Sequence, residues 1–244
     1  MTDRSWLSRT ELLIGNDHLE TLKKSHVLVI GLGGVGSFAA EFLARAGIGM
    51  LTIADGDIVE ASNRNRQLPA TVSTTGQYKV QIMHDRLMDI NPELKINVIQ
   101  EFIQPEAVAV LFDAHYDYVV EAIDSITPKL MVLSTAYKKN LNIVSSMGAG
   151  GKLDPTCLRV ADLMDTHQCP FAQTVRKRIK GMDVHRGIKA VFSTEPIIKE
   201  SLIMTDGTRF KKSAYGTISY LPATFGAVCS SVVIRDLTIQ TINS

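Results

Sequence analysis

Gly31-Leu32-Gly33-Gly34-Val35-Gly36 lies between a short apolar run, Val27-Leu28-Val29-Ile30, and a stretch with helical spacing. Glycines so placed let a backbone turn tightly and approach a pyrophosphate, whose charge the free amides of the following helix then meet. Asp55 ends the next apolar run, Met50 to Ala54, 24 positions after Gly31. A carboxylate there can accept hydrogen bonds from ribose hydroxyls. A nicotinamide dehydrogenase would show these same two features. It would have no need of four further groups: Asp57, then Ser62-Asn63-Arg64-Asn65-Arg66-Gln67, then Gly76-Gln77-Tyr78-Lys79, then Ile123-Asp124-Ser125 after another apolar run. Arg66 and Lys79 supply positive charge suited to a triphosphate, and Asp124 supplies a hard oxygen of the kind magnesium takes beside phosphates. Singly, Arg66 and Lys79 could be surface charges and Asp124 a helix cap before Thr127-Pro128. Together, at strand ends, they describe nucleotide-triphosphate chemistry rather than hydride transfer.

The elements that must hold these residues alternate. Strands are expected at 27–30, 50–54, 95–100, 118–122 and 142–145, with helices at 36–46, 77–90 and 129–138. Such alternation implies an α/β fold, a Rossmann-like, doubly wound and mostly parallel sheet whose strand ends form the ligand crevice. Near Met147 the pattern loosens. A glycine-rich turn region, Gly148 to Pro155, leads into an elaborated, less regular carboxyl half. There we expect a basic helix over 175–180, loops at 181–187 and 207–215, a strand at 190–193 and a last helix over 222–241. We read 1–244 as one domain, with a nucleotide-binding core over about 1–147 and a substrate- and dimer-forming half over about 148–244.

An apolar fraction of 45% with 21% charged residues excludes wholesale disorder. Lys+Arg 26 against Asp+Glu 25 gives a formal charge of +1, so any nucleic acid must be met by a local basic patch. Met1 to Arg9 lacks the apolar core of a signal peptide, and the longest apolar region, 218–234, is interrupted by Pro222 and Gly226. The expectation is a cytoplasmic protein without a membrane partner. Three cysteines, Cys157, Cys169 and Cys229, are too few and scattered for a disulfide framework or a four-cysteine zinc site.

Taken in order, Gly31-x-Gly33-Gly34-x-Gly36-Ser37, Asp55-x-Asp57, Asn63-x-x-Arg66-Gln67, Gly76-x-x-Lys79 and Ile123-Asp124-Ser125 resemble a known superfamily. It comprises the ubiquitin-activating enzymes and the ThiF-like bacterial adenylyltransferases of molybdopterin and thiamine biosynthesis. The resemblance implies ATP and magnesium, carboxylate activation and a homodimer. It implies that Gly31, Gly33, Gly34, Gly36, Asp57 and Asn63 line the nucleotide and that Asp55 holds the ribose. Arg66 and Lys79 would hold phosphates, and Asp124 would serve the metal and the reacting centre. Arg9, in Ser8-Arg9-Thr10, would reach the phosphates from the partner subunit. Further stretches, Ser8 to Gly15, Gly148 to Pro155, Val191 to Glu195 and Ala223 to Gly226, are similar to the tRNA threonylcarbamoyladenosine dehydratases within that superfamily. That branch implies ATP-dependent cyclisation of threonylcarbamoyladenosine beside the tRNA anticodon, through activation of the threonine carboxylate. A monovalent cation and a sulfur-relay protein are compatible additions. The paired C-x-x-C zinc motifs common in sulfur-carrier adenylyltransferases are missing from the sequence. Activation of the C-terminal glycine of a ubiquitin-like or sulfur-carrier protein is the alternative that shares the ATP residues.

A tRNA partner needs basic surface. The densest cluster is Arg176-Lys177-Arg178-Ile179-Lys180, followed by Arg186 and Lys189, and Lys211-Lys212 is a second. A solvated helix face is the plain alternative. Cys169 beside Pro170 marks a helix start and has His167 as a neighbour, yet an unreactive thiol is the simpler reading. Cys157 and Cys229 read as packing residues.

Overall fold

The computed structural model describes residues 4–204 and 213–239. Two short helices, α1 (Ser8–Ile14) and α2 (Asn16–Lys24), precede an alternating series. It runs β1 (His26–Ile30), α3 (Gly36–Arg45), β2 (Met50–Ala54), α4 (Lys79–Ile90), β3 (Lys95–Ile99), α5 (Pro105–Leu111), β4 (Tyr118–Glu121), α6 (Ile126–Lys138) and β5 (Ile143–Ser146). The second half adds β6 (Leu158–Asp162), α7 (Pro170–Ile179), β7 (Lys189–Ser193), the hairpin strands β8 (Leu202–Met204) and β9 (Ser213–Tyr215), and α8 (Tyr220–Ile239).

The main sheet has seven strands in the order β3-β2-β1-β4-β5-β7-β6. All neighbours are parallel except the last pair, in which β6 runs antiparallel to β7. The chain builds outward from β1 through β2 to β3, then crosses to lay β4 on the other side of β1. This reversal opens a crevice beyond the carboxyl ends of β1 and β4, the usual ligand position in such sheets.

Covered on both faces, β1 and β4 are apolar along nearly their whole length, while edge strand β3 is largely exposed. One core packs Val27, Val29 and Leu51 against Leu43 of α3, Met83 of α4 and Phe225 of α8. The opposite core packs Leu28, Ile30 and Val119 against Val108 of α5, Leu133 of α6 and Val175 of α7. The apolar stretch near the carboxyl end is thus the buried helix α8, whose Leu221, Phe225, Cys229 and Val233 are fully enclosed. Gly226 permits its close crossing with α3, because a Cβ there would stand 2.5 Å from the Val35 carbonyl. Among the described residues no helix is long and apolar enough to cross a membrane.

Two helices begin elsewhere than the spacing suggests. α6 starts at Ile126 rather than Lys129, because Pro128 falls in the first turn, where a missing amide costs no intrahelical bond. α7 starts at Pro170, so the basic residues form its last turn. Of the loop expected at 207–215, Ser213–Tyr215 is strand β9, and 207–212 lie outside the described residues.

Candidate active site

The glycine loop divides its labour. Gly31 takes a φ of +87° and a Cβ on it would stand 2.9 Å from the Ala122 carbonyl, so it lets β1 and β4 leave the sheet side by side. A Cβ on Gly36 would stand 1.8 Å from the Gly31 carbonyl, which closes the turn into α3. Gly34 is covered by protein, since a Cβ would meet Pro222 of α8 at 2.9 Å and the Arg66 carbonyl at 3.2 Å. Gly33 alone of the four has room for a Cβ, with the end of the Gln67 side chain, Nε2, the nearest atom at 3.8 Å. It marks where a pyrophosphate can approach the backbone.

Asp55 follows β2 and is anchored from two sides. Its Oδ2 accepts the Leu32 amide at 2.6 Å and its Oδ1 the Asp57 amide at 2.7 Å. Burial pushes its carboxyl above the ordinary Asp range, opposed by the charge of Lys79 and these two amides. Lys79, at the start of α4, is buried and its Nζ donates to Asp57 Oδ2 at 2.9 Å. Its own amide bonds the Asp57 carbonyl at 3.0 Å, and Val59 and Gly76 complete this backbone clasp. Asp55, Asp57 and Lys79 thereby form one rigid corner beside the glycine loop.

Arg66 sits in the turn between them. Its Nη1 donates to the Ser62 carbonyl at 2.9 Å and to Asn65 Oδ1 at 2.8 Å. Asn63 is buried and holds the turn itself, accepting the Glu60 amide at 3.1 Å. Asp124 stands exposed just past β4, on the same edge of the sheet as Gly31. Direct contacts thus join the glycine loop to Asp55, Asp57 and Lys79 and bring Arg66 against Gly34, while Asp124 follows the Ala122-Ile123 backbone that packs on Gly31.

Arg9 stands exposed on α1 beside Leu12 and Leu13, which are 88% and 84% exposed. The basic cluster of α7 lies at the other end of that helix from Phe171, which packs near Gly148 at the crevice edge. Within it Arg176 donates to the carbonyl and hydroxyl of Thr166, and Arg186 pairs with Asp165 at 2.6 Å, while Lys177, Arg178 and Lys180 are exposed. Lys211 and Lys212 lie outside the described residues. Among the cysteines, Cys169 immediately precedes α7 and is buried, and burial pushes the Cys229 thiol up to about 12.

Sequence reasoning missed how the carboxyl half reaches the crevice. Gly151 donates to the Gly216 carbonyl at 2.8 Å, and Asn65 Nδ2 donates to the Thr217 carbonyl at 2.9 Å. Lys152 is buried and its Nζ donates to the carbonyls of Ser193 and Glu195 at 2.8 and 2.9 Å. Glu195 in turn accepts the Asp154 amide at 2.8 Å. The only signal was a charged residue amid glycines at Lys152, which does not name its partner.

The ThiF family model matches residues 7–242. The chain belongs to the ThiF family. This ThiF-family chain is 40% identical over 237 residues to a tRNA threonylcarbamoyladenosine dehydratase of Bacillus subtilis, covering 94% of this chain and 93% of that protein. It is 35% identical over 256 residues to the protein of that name from Escherichia coli, covering 96% and 94%. The crystal structure of the Escherichia coli protein with ATP superimposes with a TM-score of 0.89 at 34% identity, covering 100% of this chain and 98% of that one. The same protein has also been crystallised with AMP.

Proposed function

We propose that this chain is an ATP-dependent enzyme that dehydrates threonylcarbamoyladenosine in tRNA to its cyclic form. The observation that carries this reading is the near end-to-end likeness to dehydratases of that name, joined to a crevice built for a nucleotide. The threonine carboxylate attacks ATP and becomes an activated acyl group, leaving either pyrophosphate or ADP. The carbamoyl nitrogen, or oxygen, of the same side chain then closes on the acyl carbon and expels AMP or phosphate. Atoms balance as loss of one water coupled to ATP cleavage. Because both reacting groups belong to one side chain, alignment already confers a high effective concentration. The protein's task is charge neutralisation and placement.

Asp55 accepts the ribose hydroxyls, Gly33 admits the phosphates, and Arg66 and Lys79 neutralise them. Magnesium binds through one or two carboxylates plus substrate phosphates, and the exposed Asp124 carboxylate would be the protein's contribution. When bound, magnesium offsets charge on the transferring phosphate. We read the chain as one functional unit, with the half after residue 147 meeting tRNA through Lys177, Arg178 and Lys180. The exposed Leu12 and Leu13 support a homodimer in which Arg9 enters the partner's crevice. A trans-acting arginine adds on the order of a thousandfold in other phosphate enzymes. A cytoplasmic setting follows from the substrate, and a monovalent cation and a sulfur-relay partner are compatible with it.

The test is incubation with ATP, magnesium and tRNA bearing threonylcarbamoyladenosine, followed by nucleoside mass analysis. A product lighter by one water, formed only with ATP and lost in Arg66→Ala and Asp124→Asn, is expected. An unchanged nucleoside from protein that binds ATP would reject the reading in favour of carrier-protein activation.

A further inference from the structure

Behind the crevice lies an ion pair that none of these roles uses. Glu121, the last residue of β4, and Lys129, in α6, are paired with both side chains 0% exposed. Lys129 Nζ also donates to Ser145 Oγ at 3.2 Å and to the Ser146 carbonyl at 2.9 Å. Its ammonium stands 5.5 Å from the centre of the Phe171 ring. Ser145, opposite Glu121 in the strand register, donates to Glu121 Oε2 at 2.5 Å. The other carboxylate oxygen, Oε1, accepts the Ile123 amide at 2.8 Å.

Stability alone gives little reason for such a pair. Apolar residues of similar volume at buried ion-pair sites are often neutral or stabilising. Its distinctive product is geometry. β4 makes its last bond to β1 through the Ala122 amide, which donates to the Ile30 carbonyl at 2.9 Å. The next amide, that of Ile123, is held by the Glu121 side chain instead, and Asp124 comes directly after it. On the far side, Phe171 packs 3.3 Å from where a Cβ on Gly148 would stand. One ion pair therefore ties the backbone carrying Asp124 to the start of the glycine-rich segment in the carboxyl half.

We propose that Glu121, its charge balanced in the core by Lys129, is a positioning residue whose side-chain oxygen fixes the Ile123-Asp124 backbone and so holds the Asp124 carboxylate where it would meet magnesium beside the substrate phosphates. This rests on the role given to Asp124 in the proposed function. Removing either partner alone strands a buried charge, so the informative variants replace both. Glu121→Gln with Lys129→Met keeps an oxygen for the Ile123 amide, whereas Glu121→Leu with Lys129→Met removes it.

The Gln/Met protein is expected to keep kcat within about threefold of wild type, and the Leu/Met protein to lose roughly tenfold or more with ATP affinity within about threefold. Asp124→Asn is expected to cost several-fold less in the Leu/Met background than in wild type, since a misaimed carboxylate has less to lose. Wild-type kcat in the Leu/Met protein, or an equal Asp124→Asn factor in both backgrounds, would overturn the proposal. Should the Leu/Met protein fail to fold, Ser145→Ala loosens Glu121 without stranding a charge, and an unchanged kcat there would overturn it too. If wild type converts no nucleoside, the proposed function falls by itself. The same variants are then compared by the magnesium dependence of ATP affinity. The Leu/Met protein must lose that dependence as Asp124→Asn does, and retaining it would sink the positioning role.

Discussion

Replacing Asp55 by Asn separates what this residue costs the fold from what it gives the ligand. The carboxylate accepts two backbone amides, from Leu32 at 2.6 Å and Asp57 at 2.7 Å. Asn keeps one acceptor oxygen, so one amide loses its partner, at a cost of about 1–3 kcal/mol. Against this, Asn carries no charge to desolvate. The carboxyl lies above its ordinary value of 3.8, with burial as the largest cause, so burial outweighs the stabilising partners of the charged form. The two effects oppose, and a net loss of about 1 kcal/mol corresponds to roughly 2–4 °C in a chain of this size. ATP affinity has no such offset. Hydroxyls donating to a carboxylate contribute about 1.5–3 kcal/mol, so binding should weaken roughly 10- to 100-fold. The assays are thermal melting and calorimetric ATP titration at pH 7.5. A fall in Tm beyond about 10 °C, or ATP affinity within about twofold of wild type, would refute this reasoning. The pH dependence has a definite sign. A folded pKa raised above 3.8 means that the native state holds a proton the unfolded chain has released. From 3.8 up to the raised value, this group's contribution to stability is lost as pH rises. ATP affinity runs the other way and weakens on acidification through that window, because the ribose requires the charged form.

The glycines supply a second contrast. Gly36→Ala places a Cβ 1.8 Å from a backbone carbonyl and should abolish folding or lower Tm by more than 10 °C or so. Gly33→Ala meets nothing closer than 3.8 Å, so Tm should hold within about 3 °C while ATP affinity falls, and unchanged affinity would move the phosphate site elsewhere. In α7, Arg176→Ala should lower Tm by removing the bonds to Thr166 and barely alter the salt dependence of RNA binding. Lys177→Ala with Arg178→Ala should do the reverse, reducing the salt slope by about 2, and an unchanged slope would mark that helix face as merely solvated. Cys229, with its thiol pushed up to about 12, and buried Cys169 should resist iodoacetamide at pH 8 until the protein unfolds. Labelling of the native protein is expected at Cys157 alone and slowly, because its bond to Asp154 at 3.4 Å raises its pKa.

What the sequence made legible was set by local rules. The turn from β1 into α3 and the carboxylate after β2 are short-range constructions, and the apolar runs of β1, β2 and β4 are long enough to declare strands buried on both faces. Short elements carried too little periodicity. The helices α1 and α5, each of seven residues, and the strands of the β8–β9 hairpin give barely two turns or three residues of pattern. Nor could spacing show that β6 turns back antiparallel at the sheet edge, since partner and direction are tertiary facts.

Within the site, residue types were readable and the division of roles was not. Gly34 reads as a phosphate glycine, and its missing side chain also makes room for Pro222, 188 positions later. Asn63 reads as a nucleotide ligand, and its side chain also holds the turn that carries Arg66, a second task that sequence does not show. Glu121 and Lys129 drew no attention, because a buried ion pair shows in sequence only as two charges eight residues apart on different elements. The chemistry-bearing residues announce themselves by type and place at strand ends. The residues that aim them sit one layer deeper, where their meaning lies wholly in what they touch. Sequence therefore offers the candidate ligand groups of this chain before the buried network behind them.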